Sequence, residues 1–419
     1  MNLTLRYSIT QFTYWAASTG AASFATIYLL NKGMHSAVAG TLLAISGILS
    51  CISQPFLASA ADRAEKFVLK KMLLFISVLC MICYGLQLVS KIPLIAAGVL
   101  YVTSLCASDA CVPLLNAVSV AYNQVGYTVN YSAARGVGSV ASAVASLVLG
   151  SIFARYGALW MILFLLGFRL LSMILICSFP DIEKKNEKTK QEEKSCSILY
   201  FFSHYRWYCA SLFAILFLGM YHAMTENYMI AIMQRLGGDS SHVGRALFIS
   251  SLAGAPVIFL YSVIREKVRD AGLMKIAAIS FLIKAVAFYF ASSVQMIYFL
   301  QLLQITSYGL LGPAQVYYAR DKVKSCDMVK GQASITASYA LGCSLGNFTG
   351  GQMLNLGVSA MLLSEVMMAL TGTVVMFLTV EKKILHKERK RVSEENFQIP
   401  HFYKFGDSHI SRLEKYVQI

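Results

Sequence analysis

Runs of about twenty apolar residues alternate with short polar or glycine-bearing breaks along the chain, and about 20 residues are what a helix needs to cross a bilayer. Reading the runs against turn and charge breaks predicts helices over 8–30, 37–60, 71–90, 93–120, 131–154 and 158–179. A second set follows over 207–233, 242–264, 273–292, 295–318, 330–355 and 358–380. Between the sets lies "DIEKKNEKTKQEEKS", residues 181–195, which has no apolar period. The expected fold class is an all-α membrane protein with twelve transmembrane helices in two pseudo-symmetric six-helix bundles. The expected division is a first bundle over 1–180, a charged cytoplasmic linker over 181–206, a second bundle over 207–380 and a basic cytoplasmic tail over 381–419.

Composition agrees with that pattern. The 419 residues are 57% hydrophobic and 14% charged, with a mean hydropathy of +0.60; soluble domains carry about 25% charged residues. A net charge of +15 would suit a nucleic-acid partner, but the placement of the charges gives another reason for it. With twelve spans the loops alternate sides. The side that holds both termini then carries 29 of the 36 Lys and Arg, while the opposite loops carry five: Lys32, Lys91, Arg155, Arg235 and Arg245. By the positive-inside rule this puts both termini in the cytoplasm of an integral, multi-pass plasma (cytoplasmic) membrane protein. Topology accounts for the charge, and no nucleic acid is expected. The first apolar run lacks a small-residue cleavage site and reads as a retained helix. The ten cysteines are scattered through apolar runs, and Cys80 and Cys83 read as a buried, inert pair. No P-loop, G-x-S-x-G or metal-spaced His/Cys set occurs, so neither an enzyme, a metal nor a cofactor is expected.

The two sets of six read as copies. Pro113 faces Pro313, Gly150 faces Gly350 and Gly157 faces Gly357 at an offset of 200, and Pro55 faces Pro256 at 201. "SAVAGTLL" in span two resembles "SHVGRALF" in span eight. Two parallel halves enclosing a site is a transporter architecture. The small residues of "RGVGSVASAVASLVLG" in span five read as close helix packing, because lipid supplies no hydrophobic drive between helices. Arg135, which opens that run, is not explained by packing.

The 6+6 repeat and the loop "ADRAEKFVLKK" (61–71) resemble the major facilitator superfamily. Asp62 and Arg63 match its gating motif between spans two and three, while Ala58 and Glu65 replace the motif's glycines. "LLAISGILSCISQPFLASAADR" and "YSAARGVGSV" are similar to spans two and five of the lactose-permease-like oligosaccharide/nucleoside–proton symporter branch. That resemblance implies that Arg135 grips substrate hydroxyls. It also places Asn116 where the branch has a sugar-pairing glutamate, and Ser142 where it has a stacking tryptophan. An ungapped match puts Lys284 on the branch's relay arginine, and Gln301, Gln304 and Ser307 on its relay lysine, histidine and glutamate. Span eight, "LFISSLAGAPVIF", holds no acid. The fold is therefore expected to carry over, but not galactoside specificity or that proton relay.

Charges within spans are expensive, roughly 2.5–3.5 kcal/mol each on insertion scales, and persist where they find partners or water. Asp109, Pro113 and Asn116 share one face of span four; cavity lining and pairing with a basic side chain both remain open. Arg135, Ser139, Ser142 and Ser146 share a face of span five, with Arg135 either a snorkelling anchor or a bidentate donor to a hydroxyl pair or carboxylate. His222, Thr225 and Glu226 lie within one turn of span seven. Gln301, Gln304 and Ser307 follow in span ten, and Ser344 and Asn347 in span eleven. The candidate substrate set is thus Arg135, Asn116, Asp109, Ser139, Ser142, Gln301, Gln304 and His222, with Asp109, Glu226 and Lys284 as candidate proton-coupling groups. Arg169 and Glu365, in spans six and twelve, read as snorkelling or paired structural charges, because the resemblance makes those spans peripheral supports.

The expected function is transport of a small polar solute (a sugar, glycoside or nucleoside) by alternating access, with protons as the candidate coupling ion. Efflux of amphiphilic compounds past Phe12, Tyr14, Trp15 and Tyr221 is one alternative, and a non-transporting sensor on the same scaffold is another. The lipid bilayer and the solute are the expected partners; the sequence has no signal for oligomeric state.

Overall fold

The structure is a computed structural model that describes residues 3–63, 69–89, 92–180, 198–324 and 327–380. Each expected span is present as a helix or a broken helix. Span one is α1 (Leu3–Ser23) and α2 (Ala25–Asn31), and span two is α3 (Ser36–Arg63). Spans three to six are α4 (Leu69–Leu86), α5 (Leu94–Gln124), α6 (Tyr131–Tyr156) and α7 (Ala158–Cys177). A short helix, α8 (Ile198–His204), precedes span seven, which is α9 (Arg206–Asn227) and α10 (Met229–Arg235). Spans eight and nine are α11 (Ser240–Lys267) and α12 (Asp270–Tyr289). Span ten is α13 (Val294–Gln301), a 3-10 turn (Leu302–Gln304) and α14 (Tyr308–Lys322), followed by α15 (Met328–Asn355) and α16 (Val358–Thr379). Among the described residues there is no strand, and nine stretches are long and apolar enough to cross a membrane. Spans one and eleven fall short of that test because they are rich in Ser, Thr, Gln and Gly, and span eight is not among the nine. These spans pack chiefly on other helices: α1 on α6 and α7, α11 on α6 and α14, α15 on α9 and α3.

The sequence reading missed three local features. The chain is already helical at Leu3, and α8 lies inside what reads as linker. Spans one, seven and ten are broken. The linker residues 181–197 and the tail 381–419 lie outside the described residues, as do the side chains of the gating pair Asp62 and Arg63.

Both halves carry the same backbone punctuation. Span one breaks at Phe24 (φ −104°, ψ 7°) and span seven at Tyr228 (φ −104°, ψ 15°). The turns that follow use Gly33 (φ 92°) and Gly237 (φ 77°), and spans five and eleven end on Gly157 (φ 79°) and Gly357 (φ 114°). Only glycine adopts such φ values without strain.

The halves meet through two glycine crossings. A Cβ on Gly150 of α6 would lie 2.7 Å from the Gly244 Cα of α11, and one on Gly244 would lie 2.9 Å from the Gly150 Cα. Gly40 of α3 and Gly351 of α15 repeat the arrangement, each Cβ position being 3.0 Å from the other's Cα. A Cβ on Gly244 would stand 2.5 Å from the Ser146 carbonyl oxygen, and one on Gly351 2.5 Å from that of Ser36. Ser36 Oγ also donates across the second crossing, to the Gly351 carbonyl at 3.1 Å and to Asn355 Oδ1 at 2.6 Å. Both crossings lie toward the end of the bundle that holds the turns at Gly33, Gly157, Gly237 and Gly357. At the opposite end Arg6 and Lys70 donate to the carbonyls of Ser178 and Phe179, within the first half.

Because a side chain at either crossing forces the helices apart, Gly150→Val and Gly244→Val are each expected to open this end. Overpacking a tight contact costs about 1–3 kcal/mol. Spin labels on Tyr156 and Ser241 are expected to separate in both variants relative to the native background; unchanged distances would show that the crossing does not hold the halves together.

Candidate functional site

Three clusters of polar side chains sit within the helices, and each is built by a local packing reason. The first lies on α1 and α6. Gly138 lacks a side chain where the Trp15 indole lies; a Cβ there would come within 2.6 Å of Trp15 Cδ1. The indole Nε1 donates to Gln11 Oε1 at 2.8 Å, Gln11 Nε2 to Tyr7 Oη at 2.7 Å, and Tyr7 Oη to the Leu115 carbonyl at 3.0 Å. This chain fixes the ring, and the Arg135 guanidinium stands over it at 4.1 Å from the centroid. Arg135 Nη1 donates to Ser139 Oγ, one turn on, at 3.2 Å. The Arg135 charge also interacts with Tyr308 of α14, so it lies toward the other half. No carboxylate is bonded to it among the described residues. A guanidinium held flat on an aromatic face with donors to spare suits a planar acceptor or a hydroxyl pair.

The rest of the span-five stripe is divided. Ser142 accepts a hydrogen bond from Thr19 Oγ1 of α1 at 2.8 Å, and buried Ser146 lies at the glycine crossing. Ser139 stays exposed beside Arg135.

The second cluster joins α3, α5 and α7. Ser50 Oγ donates to Asp109 Oδ2 at 3.1 Å, and Gln54 Nε2 reaches the Asp109 carbonyl at 3.4 Å. Arg169 does not snorkel: it is 0% exposed. Its Nη2 donates to Ser108 Oγ at 2.7 Å and Ser18 Oγ at 3.3 Å, and its guanidinium lies 4.9 Å from the Tyr14 ring centroid. Among the described residues its Nε and Nη1 have no hydrogen-bond partner, and Asp109 is within electrostatic range without a direct ion pair. Asn116 is half-buried, with Oδ1 unpartnered.

The third cluster belongs to the second half. His222 stacks on Tyr308 at 4.9 Å and 6°, with Tyr339 completing an aromatic group. Ser250 Oγ of α11 donates to Glu226 Oε1 at 3.4 Å. Lys284 is 1% exposed and donates to Gln304 Oε1 at 2.9 Å. Glu365, like Arg169, is no peripheral charge: it is 0% exposed and accepts from Thr225 Oγ1 at 3.0 Å. Ser307 is buried on the break in span ten, and Gln301, next to it, is buried with both amide atoms unpartnered. Ser344 and Asn347 are buried in α15, where Asn347 Oδ1 accepts from Asn227 Nδ2 at 2.5 Å. Cys80 and Cys83 are buried free thiols.

The structure therefore gathers Arg135 with Ser139, and Glu226, Lys284 and Gln304 with His222 nearby. It leaves Asp109 on its own serine and Gln301 in the packed core. Sequence reasoning missed the Trp15 support, although Gln11 and Trp15 at i, i+4 were visible as a pair. It also missed the depth of Arg169 and Glu365, for which the only signal was an ionised residue midway along an apolar run.

The sequence model of the MFS_1 like family matches residues 4–380. Among solved structures, a point mutant of the nucleoside transporter NupG is 14% identical, with 90% of this chain and 99% of that one covered at a TM-score of 0.78. A D-xylose-proton symporter is also 14% identical, with 91% and 98% covered at a TM-score of 0.68. A bacterial homolog of the human lysosomal transporter Spinster, inward-facing and occupied, is 14% identical, with 90% and 96% covered at 0.66. At such identities the likeness is one of fold. No curated protein matches the chain.

Gly138→Ala is expected to displace Trp15 and cost about 1–3 kcal/mol, seen as a lower Tm. Gly136→Ala, whose Cβ meets nothing within 4 Å, is expected to leave Tm unchanged. Equal melting of the two variants would show that the indole does not rely on Gly138.

Proposed function

The chain belongs to the MFS_1 like family, and from that we propose that it carries a small polar solute of the sugar, glycoside or nucleoside class across a membrane. The observation that carries this reading is Arg135 seated on Trp15 in the first half, with the His222–Tyr308 stack in the second. A guanidinium holds hydroxyl pairs by paired N–H donors, and flat aromatic faces take up the C–H face of a sugar or the plane of a base. Ser139, and with a change of partner Gln304 and Ser142, add neutral donors and acceptors. A nucleoside transporter and a xylose symporter among the similar folds agree with this substrate class.

Alternating access follows from where the halves touch. The glycine crossings close one end, while Arg135 and Ser139 stay accessible nearer the other. Rocking the first six-helix half (1–180) against the second (207–380) would exchange the closed and open ends. The 29-to-5 distribution of Lys and Arg supports cytoplasmic termini in a plasma membrane, so the described conformation opens inward. Asp62 and Arg63, at the end of α3, are the candidate gating pair for that side. Asp109, Glu226 and Lys284 are the groups through which protons could couple.

Efflux of amphiphiles fits less well. Of the four aromatics that could line such a path, Tyr14 and Tyr221 are 2% and 1% exposed, sealed within their own halves.

Uptake into vesicles across labelled sugars and nucleosides tests the reading, with and without a pH gradient. Arg135→Ala is expected to lower transport of the accepted solute at least about tenfold, since a lost charged hydrogen bond costs about 1.5–3 kcal/mol. Arg135→Lys, which keeps the charge but not the paired donors, is expected to fall between. Native rates in Arg135→Ala for every transported solute would remove Arg135 from the site.

A further inference from the structure

Resting on the transporter reading, we propose that Glu365 carries a proton in a buried site of the second half, with Lys284 and Glu226 as its charge partners. The evidence is geometric. Glu365 lies on α16 with no exposed surface. Among the described residues one carboxylate oxygen, Oε2, has a single donor, Thr225 Oγ1, and the other, Oε1, is buried with no hydrogen-bond partner. The Tyr221 hydroxyl, one turn before Thr225 on α9, is also buried, with no hydrogen-bond partner among the described residues, and it interacts with the Glu365 charge. A proton on Oε1 would turn an unpaired acceptor into a donor and remove a buried charge that has little hydrogen bonding.

Charge counting leads to the same conclusion. Among the described residues Lys284 is the one cation in electrostatic contact with both Glu365 and Glu226. If all three groups are ionised, two carboxylates share one ammonium and the cluster lacks one positive charge. Among the described residues no group of His, Cys, Asp and Glu has the geometry to hold a metal ion. A proton supplies the missing charge. The surrounding groups come from several helices, with Ser250 of α11 donating to Glu226. From α9 they are Tyr221, His222, Thr225 and Glu226; from α12, Lys284; from the 3-10 turn and α14, Gln304 and Tyr308; from α15, Tyr339 and Cys343 on the Glu226 side.

The site joins both broken spans of this half. Thr225 lies three residues before the break at Tyr228, and Gln304 lies in the break of span ten. With Glu365 protonated, Lys284 stays on Gln304, with Glu226 in electrostatic reach as its counter-charge. On release of the proton, Lys284 is drawn to Glu365 and lets go of Gln304, so proton movement is transmitted to the segment that carries Tyr308. No bond other than the O–H of Glu365 is made or broken.

Infrared titration of the purified protein reads the proton without any solute. A protonated-carboxyl band present in the native protein is expected to be lost in Glu365→Gln and kept, shifted, in Glu365→Asp. An unchanged band in Glu365→Gln would overturn the assignment. In vesicles, Glu365→Gln is expected to lose solute accumulation driven by a pH gradient about tenfold or more, as for an intramembrane proton carrier, while solute exchange at equal pH persists. Loss of exchange as well, in protein whose melting matches native, would overturn it by placing Glu365 in the solute site; so would undiminished accumulation. If the native protein moves none of the solutes tried, the transport reading fails and the infrared band still decides the proton site.

Discussion

The structure depends on two helix pairs approaching so closely that no β-carbon fits between them. Gly150 against Gly244 and Gly40 against Gly351 bring backbone to backbone across the halves. In a bilayer the apolar surfaces of two helices gain nothing by leaving water, so the contact must be won by dispersion and by hydrogen bonds such as those of Ser36. These gains are modest and need close approach. An interface of this kind holds one end firmly yet separates without exposing a large apolar core to a new solvent. That is what a protein with two alternating conformations requires.

The same economy explains the distribution of polar side chains. Among the described residues each half buries one lysine or arginine deep among its helices, Arg169 in the first and Lys284 in the second. Their surroundings differ. Arg169 is given serine hydroxyls, an aromatic face and a distant carboxylate, and no acid binds it directly. Lys284 is given an amide and two carboxylates within electrostatic reach. The first arrangement holds a fixed cation that shapes the field around Asp109. The second can exchange partners. The two halves share backbone punctuation but differ in chemistry, and the asymmetry lies in the charged groups while the glycines keep their register.

Most of the fold was legible because a bilayer imposes a length and a composition on every span. The positions of the twelve spans, the paired prolines inside helices and Gly157 with Gly357 all follow from local patterns. The breaks at Phe24 and Tyr228 were not legible, since neither residue disfavours a helix; tertiary packing of buried aromatics sets them. The break in span ten was hidden for a similar reason: "FLQLLQITSYG" reads as an uninterrupted helix. For the site, Arg135 was visible from its place at the edge of a small-residue run, but its support was not. Nothing local says that Gly138 exists to admit Trp15. Arg169 and Glu365 were visible as costly residues, read as snorkelling or paired; the snorkelling half of that reading misplaced them, because a rule that makes spans six and twelve peripheral says nothing about which face of a span looks inward.

That misplacement shows how to weigh such residues. A snorkelling side chain needs to be within its own length of the membrane surface. Arg169 is twelfth in the twenty residues of α7, and Glu365 is eighth in the twenty-two of α16. At a rise of about 1.5 Å per residue each is more than about 10 Å from either end of its helix. A glutamate side chain cannot cover that distance, and an arginine does so only fully extended along lipid. Position within the span was therefore enough to place both charges inside the protein, whatever the family pattern for the helix. Given burial, Glu365 must have its charge offset by a cation or be neutral, and a group that can be neutral in one conformation and ionised in another is the simplest coupling device that a helix bundle can hold.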